Sequence, residues 1–193
     1  MLQFGKKPRC PLPLCLAGFF LYVSFGNPLS AQDRPGAEAG PIIQDFGSVY
    51  RVPEVDFPLD PGMSYRVVFD VSVGADAPDQ VNSRIETLAR FLNMHAQAGV
   101  PAENMDLVLV LHGTAGKDAL DDPGYRERYG IDNPNRALLT ALDEAGVEIY
   151  LCGQTSVHRN LPADELAPTV RMALSAMTVL VTRQAQGYSL IAF

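Results

Sequence analysis

The chain has 193 residues, 47% of them hydrophobic, with 22 acidic against 15 basic side chains and a formal charge of −7. An acidic balance of this size disfavours nucleic acid and anionic lipid as partners. The length suffices for one domain with its own core, so no disulfide framework is needed, and only three cysteines are present.

The chain opens on Lys6, Lys7 and Arg9, followed by a mostly apolar stretch from Pro11 to Phe25. That stretch is about 15 residues, short of the roughly 20 that a membrane-spanning helix needs. Small residues at Ser30-Ala31 then precede polar Gln32-Asp33-Arg34. Together these predict a signal peptide over 1–31 and a periplasmic or secreted protein with no membrane association after cleavage. An uncleaved anchor is the alternative. Cys15 lies within the apolar run without the small residues that lipid attachment would want before it. Cleavage would remove three of the 15 basic residues and no acidic one, leaving a charge near −10.

Residues 32–64 form a Pro/Gly-rich arm whose five prolines between Pro35 and Pro61 exclude a long helix. A short strand is expected near Ser48 to Val52. The apolar Ile42, Ile43, Val49 and Tyr50 call for a covering surface, on the domain or on a neighbouring subunit. Disorder is the alternative for 32–40.

From Tyr65 strands and helices alternate through to the last residue. Tyr65 to Val73 reads as a buried strand. Val81, Ile85, Leu88, Leu92 and His95 then keep helical spacing until Gly99 and Pro101. Asp106 to Leu111 is a second buried strand, closed by His112-Gly113. Lys117 to Gly130 is polar and irregular, with at most a helical turn. Asn133-Pro134 offers a cap and a first-turn proline for a helix that Gly146 stops. Val147 to Cys152 is the third strand, and Thr155 to Asn160 a helical turn. Val170 to Leu174 is the fourth strand, Ser175 caps a helix running to Gln186, and Tyr188 to Phe193 is the fifth strand. Near-continuous apolar strands alternating with helices indicate an α/β domain over 65–193, its parallel sheet covered on both faces.

Cys152 is the only cysteine beyond the signal. It ends a β-branched, apolar run and is followed at once by Gly153-Gln154-Thr155-Ser156, where α/β folds expose reactive groups. A thiolate is the reactive species, and nearby N–H groups or a cation would populate it. The bland reading is a small buried hydrophobe. His112 ends the preceding strand and, if the strands are neighbours, stands within reach of Cys152 as a thiolate-forming partner; a histidine satisfied by turn backbone is the alternative. Gly113, Asn133, Gly153, Gln154 and Thr155 belong to loops near the same edge and are candidate lining residues. Cys152, His112 and His158 lack the paired spacing of a structural zinc site, so no metal is assigned. Gly113-Thr114-Ala115-Gly116-Lys117 lacks the full phosphate-loop pattern, and no cofactor is assigned. His95, ending an apolar stripe, fits packing. Asp121-Asp122-Pro123-Gly124 and Asp132-Asn133-Pro134-Asn135 are turn and cap sequences.

Four segments resemble the DsrE/DsrF-like family of sulfur-relay and related proteins. They are Val67-Val68-Phe69-Asp70, Leu111-His112-Gly113, the run from Gly146 to Gln154 around Cys152, and Gln186-Gly187-Tyr188-Ser189-Leu190-Ile191. The resemblance covers about 65–193. It implies a three-layer α/β/α domain with a five-stranded parallel sheet in the order 4-3-2-1-5, assembled as a homotrimer or hexamer. It further implies persulfide sulfur carried on Cys152, with a sulfur donor or acceptor protein as partner. The relay members are cytoplasmic, whereas this chain is expected to be exported. A non-catalytic exported binding or assembly module, with Cys152 structural, is the competing function.

Overall fold

The computed structural model describes residues 36–57 and 59–193. The expected signal peptide and the start of the arm lie outside the described residues. Five strands make one parallel sheet: β3 (Tyr65–Val71), β4 (Met105–Leu111), β5 (Glu148–Cys152), β6 (Val170–Ala173) and β7 (Ser189–Ala192), in the order β6-β5-β4-β3-β7. Two further short strands, β1 (Ala37–Glu38) and β2 (Val49–Tyr50), pair antiparallel within the arm. The expected order 4-3-2-1-5 is the order observed.

β4 is central, and its residues from Leu107 to Leu111 are at most 1% exposed. A strand buried on both faces has to be apolar at every position, which is why Leu-Val-Leu-Val-Leu carries no alternation. One face packs under α1 (Ser83–Gln97) and α3 (Arg136–Glu144), through Phe69, Leu109 and Ile149 against Leu88 and Leu142. The other face is covered by α5 (Ala176–Ala185), which touches all five strands. The layers are thus α/β/α.

The helices start where side chains satisfy their free N–H groups. The carboxamide of Asn82 accepts from Arg84 N at the head of α1, and the Ser175 hydroxyl accepts from Thr178 N at the head of α5. The stretch expected to be irregular holds two helical pieces: a 3-10 segment over Gly113–Ala119 and α2 (Asp122–Tyr129). Asp121 caps α2 by accepting from Gly124 N, and Pro123 sits in its first turn. The low hydrophobicity of this stretch hid a helix that caps, rather than an apolar stripe, delimit. Conversely, α3 begins at Arg136, with Asn135 rather than Asn133 at its cap.

The arm is an ordered part of the domain from Gly36 on. Asn93, fully buried on α1, holds it. Its Oδ1 accepts from Ile42 N at 3.2 Å and Ile43 N at 2.9 Å. Its two amide protons are shared among the carbonyls of Ile43, Phe46 and Gly47 at 2.9–3.1 Å. Glu86 accepts from Gly47 N, and Gln97 donates to the Gly40 carbonyl. Glu86, Asn93 and Gln97, at spacings of seven and four, line up along one face of α1. At Gly47 (φ +70°) a Cβ would stand 2.4 Å from the Ala89 backbone, so only glycine lets the arm lie this close. Ile43 and Val49 are buried by the chain's own helix, at 3% and 8% exposure. The domain thus covers these two residues, while Tyr50 of the same expectation remains 53% exposed.

The Asn93→Ala substitution strands several buried N–H and C=O groups at once. It is expected to cost about 2–4 kcal/mol and to open residues 38–47 to proteolysis. A urea midpoint equal to that of the wild type would contradict the clamp.

Candidate functional site

The site is built on the C-terminal edge of β3, β4 and β5. Cys152 ends β5 and leads directly into α4 (Gly153–Arg159), with its side chain 6% exposed. It belongs to a buried cluster with Val68, Val110 and Ala176, on the α5 face of the sheet. Burial taken alone pushes the thiol pKa up. The backbone N–H groups of Thr155, Ala176 and Gln154, with the Thr155 hydroxyl, outweigh it and hold the thiol below its ordinary value. Two chain reversals, β5 to α4 and β6 to α5, thus converge on one sulfur.

That convergence depends on Gly153. A Cβ there would stand 2.6 Å from the Ala173 carbonyl oxygen and 3.1 Å from that of Leu174. Any larger residue would push the two turns apart and draw the Ala176 amide from the sulfur. Thr155 ties in the third loop, because its Oγ1 accepts from Gly113 N at 3.1 Å. With that lone pair engaged, the single hydroxyl proton is free to be given to sulfur. Gln154 is exposed and reaches the Leu174 carbonyl at 3.4 Å.

His112 lies on the same sheet edge as Cys152, as the sequence suggests, but its ring is engaged by another residue. Its Nε2 lies 2.8 Å from Asp70 Oδ1 on β3, and the two side chains are 30% and 21% exposed. Among the described residues no hydrogen bond joins the ring to Cys152. The donors that favour the thiolate are amides and a hydroxyl, and His112 is not one of them. Asp70 is the residue that sequence reasoning left without a role. Its signal was present: a single carboxylate inside Tyr-Arg-Val-Val-Phe-Asp-Val, near the end of a buried strand.

Asn133 is not at this site. Its amide donates to the carbonyls of Asp118 and Leu120, and its Oδ1 accepts from Asn135 N. It belongs to a buried network in which Asp118, fully buried, accepts from Asn82, from Ala75 N and from Lys117. Burial would lower the Lys117 pKa, but the bond to Asp118 and its charge raise it overall, so this lysine stays cationic. His158 is exposed at the end of α4. His95 stacks on Phe91 at 3.9 Å and bonds its carbonyl, a packing role. No group of three His, Cys, Asp or Glu among the described residues is placed to hold a metal. A cleft of about 500 Å³ between the arm and α3, lined by Ile42, Gln44, Asp45 and Glu144 among others, has no Cys, Ser, Thr, Lys or His in its lining. No described helix is long and apolar enough to cross a membrane.

A five-stranded parallel sheet between helical layers, with the single thiol of the described residues held below its ordinary pKa where the central strands end, defines a class of α/β thiol proteins. Residues 63–193 match the model of the DsrE/DsrF-like family, and the chain belongs to that family. Two solved structures share the fold. One is a protein of unknown function from Methanobacterium thermoautotrophicum, 20% identical, with a TM-score of 0.50 over 67% of this chain and 99% of that one. The other is the ychN protein from E. coli, 16% identical, with the same TM-score and the same coverage of both chains. No curated protein matches the chain.

The donor set makes a prediction about reactivity. The rate of iodoacetamide labelling of the folded protein should reach half its plateau below pH 8.5, the value typical of a free cysteine. Thr155→Val, which keeps the shape but removes the hydroxyl, should move that midpoint upward. An unshifted midpoint would mean that Thr155 does not act on the sulfur.

Proposed function

We propose that this protein is an exported sulfur carrier in which Cys152 accepts a sulfane sulfur as a persulfide and passes it to a partner thiol. The observation that carries this reading is the Cys152 thiol, buried yet held below its ordinary pKa by converging amide and hydroxyl donors. Membership of a sulfur-relay family supports it. The chemistry needs one thiolate on the protein. The Cys152 sulfur attacks the terminal sulfur of a persulfide R–S–SH, the S–S bond breaks, and Cys152–S–SH forms as RS⁻ leaves. An acceptor thiolate then attacks the same terminal sulfur and restores the Cys152 thiolate. The transfer is redox-neutral and requires no cofactor.

The test is mass spectrometry of protein recovered from the extracytoplasmic fraction and incubated with glutathione persulfide. A gain of one sulfur atom on wild type and none on Cys152→Ser is expected, on a chain whose mass begins after Ala31. No gain on wild type leaves the competing reading, a binding or assembly module with a structural cysteine. A mass retaining Met1 to Ala31 would show a membrane anchor in place of export.

The carrier acts as a homo-oligomer, a trimer or hexamer. Leu174, Met177 and Val181, at 73%, 71% and 67% exposure, crowd the β6–α5 turn and the outer side of α5, and Val157 on α4 is 84% exposed. These side chains lie on the β6–α5 turn, α5 and α4, the elements next to Cys152, and gain about 25 cal/mol for each Å² of apolar surface that a second copy covers. The double variant Met177→Glu/Val181→Glu is expected to be monomeric by light scattering at micromolar concentration. A wild-type protein that is itself monomeric there would end the idea.

A further inference from the structure

The row of side chains at the sheet edge has a member that thiolate formation does not use. Asp70 is the register partner of Val110, and Leu111 is the partner of Leu151, so His112 follows β4 abreast of Cys152. Val68, Val108, Val110 and Cys152 pack as one cluster on the α5 face of the sheet. Strict alternation along β3 and β4 puts Asp70, two residues after Val68, on that same face, and likewise His112, two after Val110. The extended backbone at His112 (φ −153°, ψ −174°) preserves that alternation past the strand end. Asp70, His112 and Cys152 therefore stand on three adjacent strands, about 4.8 Å from one strand to the next.

His112 is held by the backbone on either side of it and by one ring nitrogen. His112 N donates to the Val71 carbonyl at 3.1 Å, and the following amide, Gly113 N, donates to Thr155. The ring's Nε2 is engaged by Asp70 at 2.8 Å. Its Nδ1 has no partner among the described residues. A carboxylate on one ring nitrogen selects the tautomer and leaves the other nitrogen as the one that exchanges protons. Half-buried, the pair is open to a ligand arriving at the thiol.

We propose that His112, oriented by Asp70, is the proton donor to the leaving thiolate of the sulfur donor and the base for the thiol that later collects the sulfur. This rests on the carrier reading above. In loading, the Cys152 thiolate attacks the terminal sulfur of R–S–SH and the S–S bond breaks. The proton on His112 Nδ1 passes to RS⁻, which leaves as RSH. In unloading, neutral His112 takes the proton of the acceptor R′SH, and R′S⁻ attacks the terminal sulfur and frees the Cys152 thiolate. Each cycle returns the ring to its starting protonation state, so atoms and charge balance. Asp70 is a positioning residue: it touches neither sulfur and acts through the ring.

The leaving group provides the test. An alkyl thiolate such as that of glutathione is a poor leaving group and gains from a proton, whereas an activated nitroaryl thiolate leaves unaided. Loading of Cys152 from glutathione persulfide is compared with its reaction with a nitroaryl disulfide, in wild type, His112→Ala and Asp70→Asn. The persulfide reaction should slow about a hundredfold in His112→Ala and about tenfold in Asp70→Asn. The aryl reaction should stay within about twofold in both, which also shows that the folded site survives each change. Equal slowing with both donors, or slowing with neither, overturns the proton-transfer role while leaving the carrier intact. Wild-type protein that reacts with the aryl disulfide but takes no sulfur from persulfide removes the carrier reading, and this inference with it.

Discussion

Strand register is the constraint on which the rest of this molecule depends. β3 and β4 are paired over seven consecutive residues, and β4 and β5 over four, all parallel. A slip of one residue in either ladder would turn every side chain of that strand to the opposite face. The alternation of Phe69, Leu109 and Ile149 inward toward α1 and α3 forbids such a slip, because it would expose the largest core side chains. What is fixed for packing is thereby fixed for chemistry. Asp70, His112 and Cys152 share an edge because the apolar residues below them have nowhere else to go.

The loops above that edge are held by polar rather than apolar contacts. The carboxylate of Asp118 is fully buried and takes bonds from Lys117, Asn82 and Ala75 N. Breaking one side of such a buried ion pair leaves an uncompensated charge, which makes the cluster an all-or-nothing support. The cluster anchors the 3-10 segment after β4, and the amide of Gly113 at the head of that segment reaches Thr155. At Gly116 a Cβ would approach Thr155 Cγ2 to 2.7 Å, so the segment lies flush against α4. A buried salt bridge far from the thiol thus contributes to the placement of the hydroxyl beside it.

The sheet was legible in the sequence because its strands are apolar without interruption and its helices end at Gly99, Gly146 and Gly187, each with positive φ. The position of Cys152, at a strand end running into a helix, was legible for the same reason. α2 was not, since its sequence Asp-Pro-Gly-Tyr-Arg-Glu-Arg-Tyr buries only Gly124 and Tyr125 and offers no apolar period. Asn133 and His112 show a different limit. Both sit on loops of the right edge, but the direction of a side chain is decided by partners distant in sequence, Asp118 for one and Asp70 for the other. Local pattern carries no information about such partners. The arm's packing was legible from its apolar residues, but what holds it was not, since Asn93 lies about fifty residues away.

The arm has a consequence for symmetry. Residues 42–47 lie along α1, and the cleft beside them is walled by Ala141, Glu144 and Ala145 of α3. The helical layer opposite α5 is thereby roofed over by the chain itself. The two flanks of the sheet therefore differ: α1 and α3 carry an added layer of the chain, whereas α5 carries none and leaves Met177 and Val181 exposed. Copies that met through one and the same patch of the α5 flank would pair about a twofold axis rather than add end to end. The arm, which supplies none of the donors to Cys152, thus leaves the thiol's own flank as the one its chain does not cover a second time.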